Sequence, residues 1–309
     1  MNRCPITYEP CGTAQYTPQG LRLLHKKLTT LHPLPYSAQQ QRLEAATRMK
    51  SMSIQGVQPK LSAVLNVAAE TFELVDMGGQ YIIKPQSHYF RSVPEIEDVS
   101  MRMAKLVGIE TPLHGLVYSK DGSLSYFIKR FDRIGRNKKL AVEDFTQIAG
   151  LQRATKYQFS TEKMIALIEQ YCTFPVLEKL KFFRLLLFSF LIGNEDMHLK
   201  NFSLITRNHK VEFSPAYDLL NSTLAMNGAV EEMALPIAGK KSRFKRKVWV
   251  DYLAKERLQL PTNVINKELE QFQIASQHWK QLIAKCFLSD DLKAEYWELV
   301  EARMKRMGW

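Results

Sequence analysis

The chain has 309 residues, of which 45% are hydrophobic and 24% charged, and its formal net charge is +12. This composition excludes a protein that is disordered over most of its length, and the length suits two packed lobes better than one core. The positive charge is compatible with an acidic partner such as ATP, nucleic acid or an acidic protein surface, although it also serves solubility alone.

The segments that would place the chain in a membrane or outside the cell are not found. No apolar stretch reaches the roughly 18 residues that cross a bilayer, and MNRCPITYEPCG at the N-terminus lacks the apolar region of a signal peptide. The cysteines Cys4, Cys11, Cys172 and Cys286 are too scattered for a disulfide framework. We therefore expect reduced thiols, a cytoplasmic protein and no membrane association.

The first half of the chain alternates between helical and extended patterns. Two helices are predicted before residue 50, LRLLHKKLTTL and AQQQRLEAATRMKS, and three short strands follow from residue 53 around the turn at Gly78 and Gly79. VPEIEDVSMRMAKLVGI then predicts an amphipathic helix. HGLVYSK and SLSYFIKRFD predict a hairpin around Asp121-Gly122.

After about residue 143 the pattern is mostly helical, apart from a second hairpin in FSLITRNHKVEFSPAY. These elements predict an α+β protein with a small β-rich N-lobe and a larger, mostly helical C-lobe.

A polar cluster follows the apolar segment KFFRLLLFSFLIG, which has the composition of a buried helix. Asp196 and Asn201 are five positions apart, and Asp218 comes seventeen positions later. Kinase active sites place a catalytic aspartate and two Mg²⁺ ligands in this order, although the spacing also arises by chance. A carboxylate can accept the proton of a hydroxyl, and oxygen ligands bind Mg²⁺. Because the second hairpin returns the chain, we expect Asp218 to lie beside Asn201.

An earlier segment, SIQGVQPK, offers backbone contacts to phosphate. A turn there can direct the N–H groups of Gly56, Val57 and Gln58 at phosphate oxygens. An ordinary turn at the start of a strand explains the same residues.

Lys84 ends the apolar strand QYIIKP and needs a counter-charge if it is buried. Glu97 in the next helix is the expected partner, and Glu95 is an alternative. A lysine that reaches solvent from an edge strand is the simpler interpretation. Farther on, FIKRFDR connects the two predicted lobes, where unpaired backbone groups can read an adenine edge or merely link the lobes.

Taken in order, SIQGVQPK, YIIKP, KRFDR, LIGNEDMHLKNFSL and SPAYDLL resemble the HipA-like serine/threonine kinases of bacterial toxin–antitoxin systems. The resemblance covers roughly residues 50 to 240, and LIGNEDMHLKN is its most specific element. It implies a two-lobed protein-kinase-like fold, serine/threonine kinase activity, and ATP and Mg²⁺ as cofactors.

The resemblance also assigns roles to residues at matching positions. Asp196 matches the catalytic aspartate, and Lys84 matches the phosphate-binding lysine, with Glu97 as its ion-pair partner. The nucleotide and metal positions are the Mg²⁺ ligands Asn201 and Asp218, the nucleotide-contacting His198, the adenine-reading backbones of Lys129 and Phe131, Asp132 close to the ribose, and the phosphate loop Gly56, Val57 and Gln58.

A regulatory serine is implied in the same way. Ser53 stands where such kinases autophosphorylate, and in the family this phosphate disfavours the nucleotide-binding conformation of the loop. In the HipT branch of this family, whose members are shorter, the loop tends to carry a second serine, but here that position is Gln55.

The partners follow from the length of the N-terminal part. About 50 residues precede SIQGVQPK, too few for the N-terminal subdomain of the longer HipA proteins. The chain is therefore similar to the HipT branch, in which a small antitoxin protein supplies that subdomain and a DNA-binding antitoxin completes the operon. Family members phosphorylate aminoacyl-tRNA synthetases. The implied function is a toxin that inhibits translation, with the tryptophanyl enzyme the favoured substrate and no direct nucleic-acid binding.

We thus expect an extension that packs on the small lobe (1–50), an N-lobe with the phosphate loop and the ATP lysine (51–130), and a helical C-lobe with the catalytic loop and metal ligands (131–309).

Two other functions remain open. A nucleotide-binding pseudokinase or partner-binding module would keep the fold without turnover, although Lys84, Asp196, Asn201 and Asp218 are all present. A metal-dependent nuclease built on Asp196, His198 and Asp218 would leave Lys84 unexplained. The basic stretch GKKSRFKRK suits docking to an acidic surface or to tRNA, and equally a solvated loop.

Overall fold

The computed structural model describes residues 2–48, 58–135, 138–151, 159–228 and 231–309. The chain divides into two compact units. The first unit comprises Met1–Asp98, Pro112–Lys138 and Lys285–Leu288, and the second comprises Val99–Thr111, Lys139–Ala284 and Ser289–Trp309.

Strands occur in both units. They are β1 (Asn2–Arg3), β2 (Pro10–Gly12), β3 (Leu61–Asn66), β4 (Thr71–Leu74), β5 (Tyr81–Lys84), β6 (His114–Tyr118), β7 (Leu124–Lys129), β8 (Arg133–Ile134), β9 (Lys138–Lys139), β10 (Val142–Asp144), β11 (Ser203–Arg207) and β12 (Lys210–Phe213).

The α-helices are α1 (Pro18–Leu24), α2 (Ala38–Arg48), α3 (Val93–Leu106), α4 (Phe145–Ile148), α5 (Thr161–Tyr171), α6 (Pro175–Ile192), α7 (Ser222–Ala225), α8 (Thr262–Lys285) and α9 (Asp290–Met307). A short 3-10 helix spans Leu199–Asn201, and a π-helix spans Val248–Arg257.

The first unit is built on a five-stranded antiparallel sheet with the strand order β4-β3-β5-β7-β6. Strands β6 and β7 flank the predicted Asp121-Gly122 turn, where Gly122 has a φ of +78°. Phe72, Tyr81 and Phe127 pack against one another with ring centres 5.0 to 6.2 Å apart. Buried side chains before residue 48, such as Leu21 and Leu24, belong to the same apolar cluster.

Helix α1 differs from the sequence prediction of a helix over LRLLHKKLTTL. It begins at Pro18, where the Thr17 hydroxyl accepts the N–H of Gly20, and it ends at Leu24. His25 is already extended, and farther on Glu70, in the turn between β3 and β4, accepts the N–H groups of Thr29 and Thr30, each at 3.1 Å. A tertiary contact therefore overrides the local helical pattern.

The second unit is built around helix α6, which is buried on almost all sides. Pro175 stands at its start, where the missing N–H costs nothing. Phe188 packs edge-on against Trp279 at 5.7 Å, and Phe190 packs against Trp249 at 5.0 Å. Each fully buried phenylalanine contributes about 1.5–3 kcal/mol. Across the described ranges, no helix combines the length and the apolar character needed to span a membrane.

The predicted hairpin after residue 202 is strands β11 and β12, which form a three-stranded antiparallel sheet with β10. Its two-residue loop, Asn208 and His209, has positive φ at both positions, +49° and +61°, as in the turns that match the twist of a hairpin. Phe213 at the end of β12 stacks on Phe145 and Phe182. The hairpin is thereby fixed on the core of its unit.

Candidate active site

The polar loop that follows α6 starts from a fixed point, Gly193. This glycine ends α6 with a φ of +77°, in the left-handed region. A Cβ atom here would lie 2.9 Å from Oδ1 of Asn221 and 2.9 Å from a methyl group of Leu299. Both the positive φ and the close contacts require glycine.

The loop then folds on its own hydrogen bonds. Asn194 is fully buried, and its Oδ1 accepts the N–H of Asp196 at 3.2 Å. The carbonyl of Asp196 accepts the N–H of His198 at 2.8 Å and Nδ2 of Asn201 at 2.9 Å. The Asp196 side chain is 47% exposed, with Nε2 of His198 3.9 Å from its Oδ1. The loop thus presents a solvent-accessible carboxylate on a constrained backbone.

Asp218 is tied to this loop through the tyrosine that precedes it. The Tyr217 hydroxyl donates to the carbonyl of Lys200 at 2.9 Å and lies 2.5 Å from the Ser203 hydroxyl. Burial raises the pKa of Tyr217, and the nearby Asp218 carboxylate raises it further, so the phenol stays protonated. Asp218 has a φ of +55°, a strained conformation of the kind often found at functional sites. The residues next to Asn201 and Asp218 are therefore in contact.

The donors in this unit have the chemistry that Mg²⁺ requires. Asn201 donates from Nδ2 to the carbonyl of Asp196, so its amide oxygen is not used in that bond, and the half-buried Asp218 adds a carboxylate. Mg²⁺ is usually held by one or two such protein groups, with waters and substrate phosphates completing the shell. In the described part of the chain, no three or more His, Cys, Asp or Glu residues are placed to hold a metal. An amide oxygen and a carboxylate are thus donors of the kind that bind Mg²⁺ when a nucleotide supplies part of its shell.

In the first unit, Lys84 forms a buried ion pair. Its Nζ lies 2.6 Å from Oε1 of Glu97, and the exposed fractions of the two residues are 3% and 0%. Lys84 also sits over the ring of Tyr126, 5.6 Å from the ring centre. The alternative partner, Glu95, instead accepts Nε2 of Gln86 at 2.7 Å.

Glu95 is an unusual carboxylate because it is 7% exposed and its Oε2 has no hydrogen-bond partner among the described residues. Burial raises the pKa of Glu95 to about 7, although the Gln86 hydrogen bond opposes this shift. A glutamate whose pKa is higher in the folded chain than in the unfolded chain favours folding most strongly at low pH. This contribution is complete below the unfolded pKa and is lost as the pH rises towards 7.

We therefore expect Glu95→Gln to be more favourable for stability at pH 8 than at pH 5. The amide keeps an acceptor for Gln86 and cannot ionise. Between pH 5 and pH 8, the free energy of unfolding of the variant should therefore rise relative to that of the wild type by up to about 3 kcal/mol. Urea unfolding at the two pH values measures this difference, with exposed Glu73→Gln as the control. An equal effect of Glu95→Gln at both pH values would contradict the interpretation.

The segment assigned to adenine and ribose lies at the end of β7. The N–H of Lys129 donates to the carbonyl of Leu113 at 2.8 Å, so an adenine contact from Lys129 would have to use its carbonyl. Asp132 accepts two hydrogen bonds from Arg130, at 2.9 and 2.8 Å. Burial opposes ionisation of Asp132, but these bonds and the Arg130 charge lower its pKa. Phe131 lies in the turn between Arg130 and Asp132.

Three assigned positions, Ser53, Gly56 and Val57, lie outside the described residues, as does Gln55. Gln58 is the first described residue of the phosphate-loop segment, and it is half-buried.

Sequence reasoning missed three polar features of these regions. Asn194 and Tyr217 hold the backbone of the catalytic-loop segment, and Asp98 pairs with His114 in the first unit at 2.8 Å. The acidic run EIED in a helix with an apolar pattern was a signal that some of its carboxylates are buried, but their partners are distant in the sequence.

Comparisons with known proteins identify relatives over most of the chain. A protein of Haemophilus influenzae named "Putative kinase" is 29% identical over 237 residues, which cover 72% of this chain and 68% of that protein. The "Serine/threonine-protein kinase toxin HipA" of Shewanella oneidensis is 26% identical over 244 residues, which cover 70% of this chain but only 55% of the toxin. The chain thus spans little more than half of that relative's length.

Solved structures show the same fold. The Shewanella oneidensis HipA chain, from a complex with HipB and operator DNA, aligns with a TM-score of 0.71 at 22% identity, covering 91% of this chain and 74% of that one. The Helicobacter pylori proinflammatory kinase CtkA aligns with a TM-score of 0.59 at 15% identity, covering 84% of this chain and 91% of that one. The predicted kinase-like α+β fold is therefore confirmed.

A family model described as the HipA-like C-terminal domain matches residues 52–279, well over half of the chain. With the fold and the relatives in agreement, the chain belongs to the HipA-like family, which includes a kinase toxin.

Proposed function

We propose that this chain is an ATP-dependent serine/threonine protein kinase that acts as the toxin of a toxin–antitoxin system. The observation that carries the proposal is the loop from Asn194 to Asn201, which holds Asp196 on a constrained backbone and leaves its carboxylate accessible. The kinase names of the relatives and the kinase-like fold support it.

Asp196 is the proposed base. Its carboxylate orients the hydroxyl of a serine or threonine substrate and accepts the proton as the oxygen bonds to the terminal phosphorus of ATP and ADP leaves. Asn201 holds the backbone of Asp196 through the hydrogen bond from its Nδ2 to the Asp196 carbonyl. Positioning of this kind provides much of the rate enhancement in phosphoryl transfer.

The remaining roles concern the nucleotide. Asn201 and Asp218 would hold Mg²⁺, which neutralises phosphate charge when bound. Lys84 would contact phosphate, oriented by Glu97, and His198 would contact the nucleotide. The backbones of Lys129 and Phe131, with Asp132, would bind adenosine, and Gly56, Val57 and Gln58 would bind phosphate through their N–H groups.

The substrate and partners belong to the same proposal. We assign an aminoacyl-tRNA synthetase as substrate, with the tryptophanyl enzyme favoured, and Ser53 as the autophosphorylation site. The HipA chain of Shewanella oneidensis was solved with HipB and operator DNA. By analogy, we assign this protein two antitoxin partners of the HipT type, one small and one DNA-binding, and a cytoplasmic location.

The experiment that tests the proposal is phosphopeptide mass spectrometry after incubation with Mg²⁺ and ATP. We expect one phosphate on Ser53 in the wild type and none in Asp196→Asn or Ser53→Ala. A tryptophanyl-tRNA synthetase should gain a phosphoserine only with the active protein. If the wild type binds ATP but modifies neither itself nor a panel of synthetases, the chain is a pseudokinase or partner-binding module and the proposal fails.

A further inference from the structure

We infer that Asp98 and His114 form a second buried pair that positions Glu97 and, through Glu97, the proposed phosphate-binding Lys84. Neither Asp98 nor His114 has a role in the function proposed above. The consequence for catalysis rests on that proposed function, whereas the geometry does not.

The carboxylates of the two pairs belong to successive residues of helix α3, Glu97 and Asp98. Oε1 of Glu97 lies 2.6 Å from Nζ of Lys84, and Oδ1 of Asp98 lies 2.8 Å from Nδ1 of His114. Lys84 ends β5, and His114 begins β6. All four side chains are inside the first unit, and none of the four residues is more than 8% exposed. The helix is thus attached to two strands of one sheet by adjacent carboxylates.

Two contacts in different directions constrain a helix more than one contact does. Successive residues of an α-helix project about 100° apart around the axis. The fully buried Ile96 and Val99 also pack α3, and each of the two pairs adds a contact of fixed distance and direction. The Asp98–His114 contact therefore contributes to the rotation of the helix next to Glu97, and with it to the direction of the Glu97 carboxylate.

The ring of Tyr126 connects the two pairs. Tyr126 lies opposite Lys84 in the register of β5 and β7, with the Lys84 ammonium 5.6 Å from its ring centre. The ring of His114 lies 5.9 Å from the same ring, and Tyr126 is fully buried. A displaced His114 would therefore also disturb the surface against which Lys84 packs.

Stability alone does not account for this arrangement. A buried ionisable pair can often be replaced by apolar residues with little loss of stability, or with a gain. What a hydrogen-bonded pair adds is direction, because its atoms must meet at a fixed distance and angle. Asp98 and His114 are accordingly positioning residues, and the quantity they control is the Lys84–Glu97 contact.

The full chain is treated with acetic anhydride in the absence of nucleotide. Peptide mass spectrometry then measures how fast Lys84 is acetylated. Buried Lys84 reacts when its contact with Glu97 opens, and exposed Lys120 serves as an internal reference. Asp98→Asn keeps the shape and an acceptor, and His114→Phe keeps a ring without the hydrogen bond. We expect each to accelerate Lys84 acetylation about tenfold, within the range of coupling between contacting residues.

Two controls make the result specific. Glu97→Gln breaks the Lys84 pair directly and should accelerate the reaction at least as much. Asp121→Asn removes a carboxylate of the same unit that binds the N–H of Ala38 and the hydroxyl of Ser123, so it weakens a loop away from the two pairs. It should leave Lys84 acetylation unchanged.

The inference would be overturned if Lys84 were acetylated at the wild-type rate in both Asp98→Asn and His114→Phe. It would also be overturned if Asp121→Asn accelerated Lys84 acetylation as much as these two variants do. Kinase assays separate this outcome from a failure of the proposed function. If the wild type transfers phosphate, Asp98→Asn should lower kcat/KM for ATP in parallel with the faster acetylation. If the wild type transfers none, the kinase proposal fails, but acetylation still decides the role of Asp98 and His114.

Discussion

Asp196→Asn is expected to lower phosphate transfer by about 10²- to 10⁴-fold, the range for a positioned general base, while ATP binding changes little. Asparagine has the size of aspartate but cannot accept the hydroxyl proton. The hydrogen bonds from Asp196 N–H to Asn194 and from Asn201 to the Asp196 carbonyl use the backbone of residue 196, which asparagine keeps, so the loop should keep its fold. Initial rates with labelled ATP, and calorimetry of ATP binding, measure the two effects.

Glu195→Gln is a matched control, because it neutralises the neighbouring carboxylate. In the wild type, Oε2 of Glu195 accepts the N–H of Glu231 at 3.3 Å, and the amide oxygen of glutamine can make the same bond. Transfer by Glu195→Gln should remain near the wild-type rate. If Asp196→Asn also transferred phosphate at that rate, Asp196 would not be the base.

Features fixed by local sequence were predicted well. The apolar run before Gly193 predicts helix α6, and the Asp121-Gly122 dipeptide predicts the hairpin of β6 and β7, because both depend on residues close in the chain. The spacing of Asp196, Asn201 and Asp218 was sufficient to nominate these residues. The contact between Tyr217 and Lys200 then shows how the returning chain approaches the loop.

Several features fixed by long-range contacts were not predicted, although the pairing of Lys84 with Glu97 was. The non-helical path of Thr29 and Thr30 involves Glu70, more than forty residues away from Thr29. The pattern of α3 suggested an ordinary amphipathic helix, but its carboxylates Glu95, Glu97 and Asp98 are all buried. Their protonation and pairing depend on strands β5 to β7, so the raised pKa of Glu95 and the partner of Asp98 could not be inferred from helical periodicity.

The second large expected effect concerns the buried pair of Lys84 and Glu97. Here an effect on catalysis has to be distinguished from an effect on folding. We expect Lys84→Met to reduce phosphate transfer by at least about 100-fold, since a fixed charge on the phosphates is lost. The same change takes away the ammonium that lies 2.6 Å from Oε1 of Glu97, a residue with an exposed fraction of 0%. Removing one partner of a buried pair costs about 3–5 kcal/mol of unfolding free energy. Loss of activity in this variant alone is therefore ambiguous.

The double variant Lys84→Met/Glu97→Leu resolves the ambiguity, because two apolar residues of similar volume often replace a buried ion pair without loss of stability. We expect urea unfolding to return close to wild type, while transfer stays as low as in Lys84→Met. Lys179→Met, which removes another buried lysine and its 3.0 Å contact with Glu169, should leave transfer intact. Recovery of transfer in the double variant would mean that Lys84 serves the fold and that phosphate is bound by other groups.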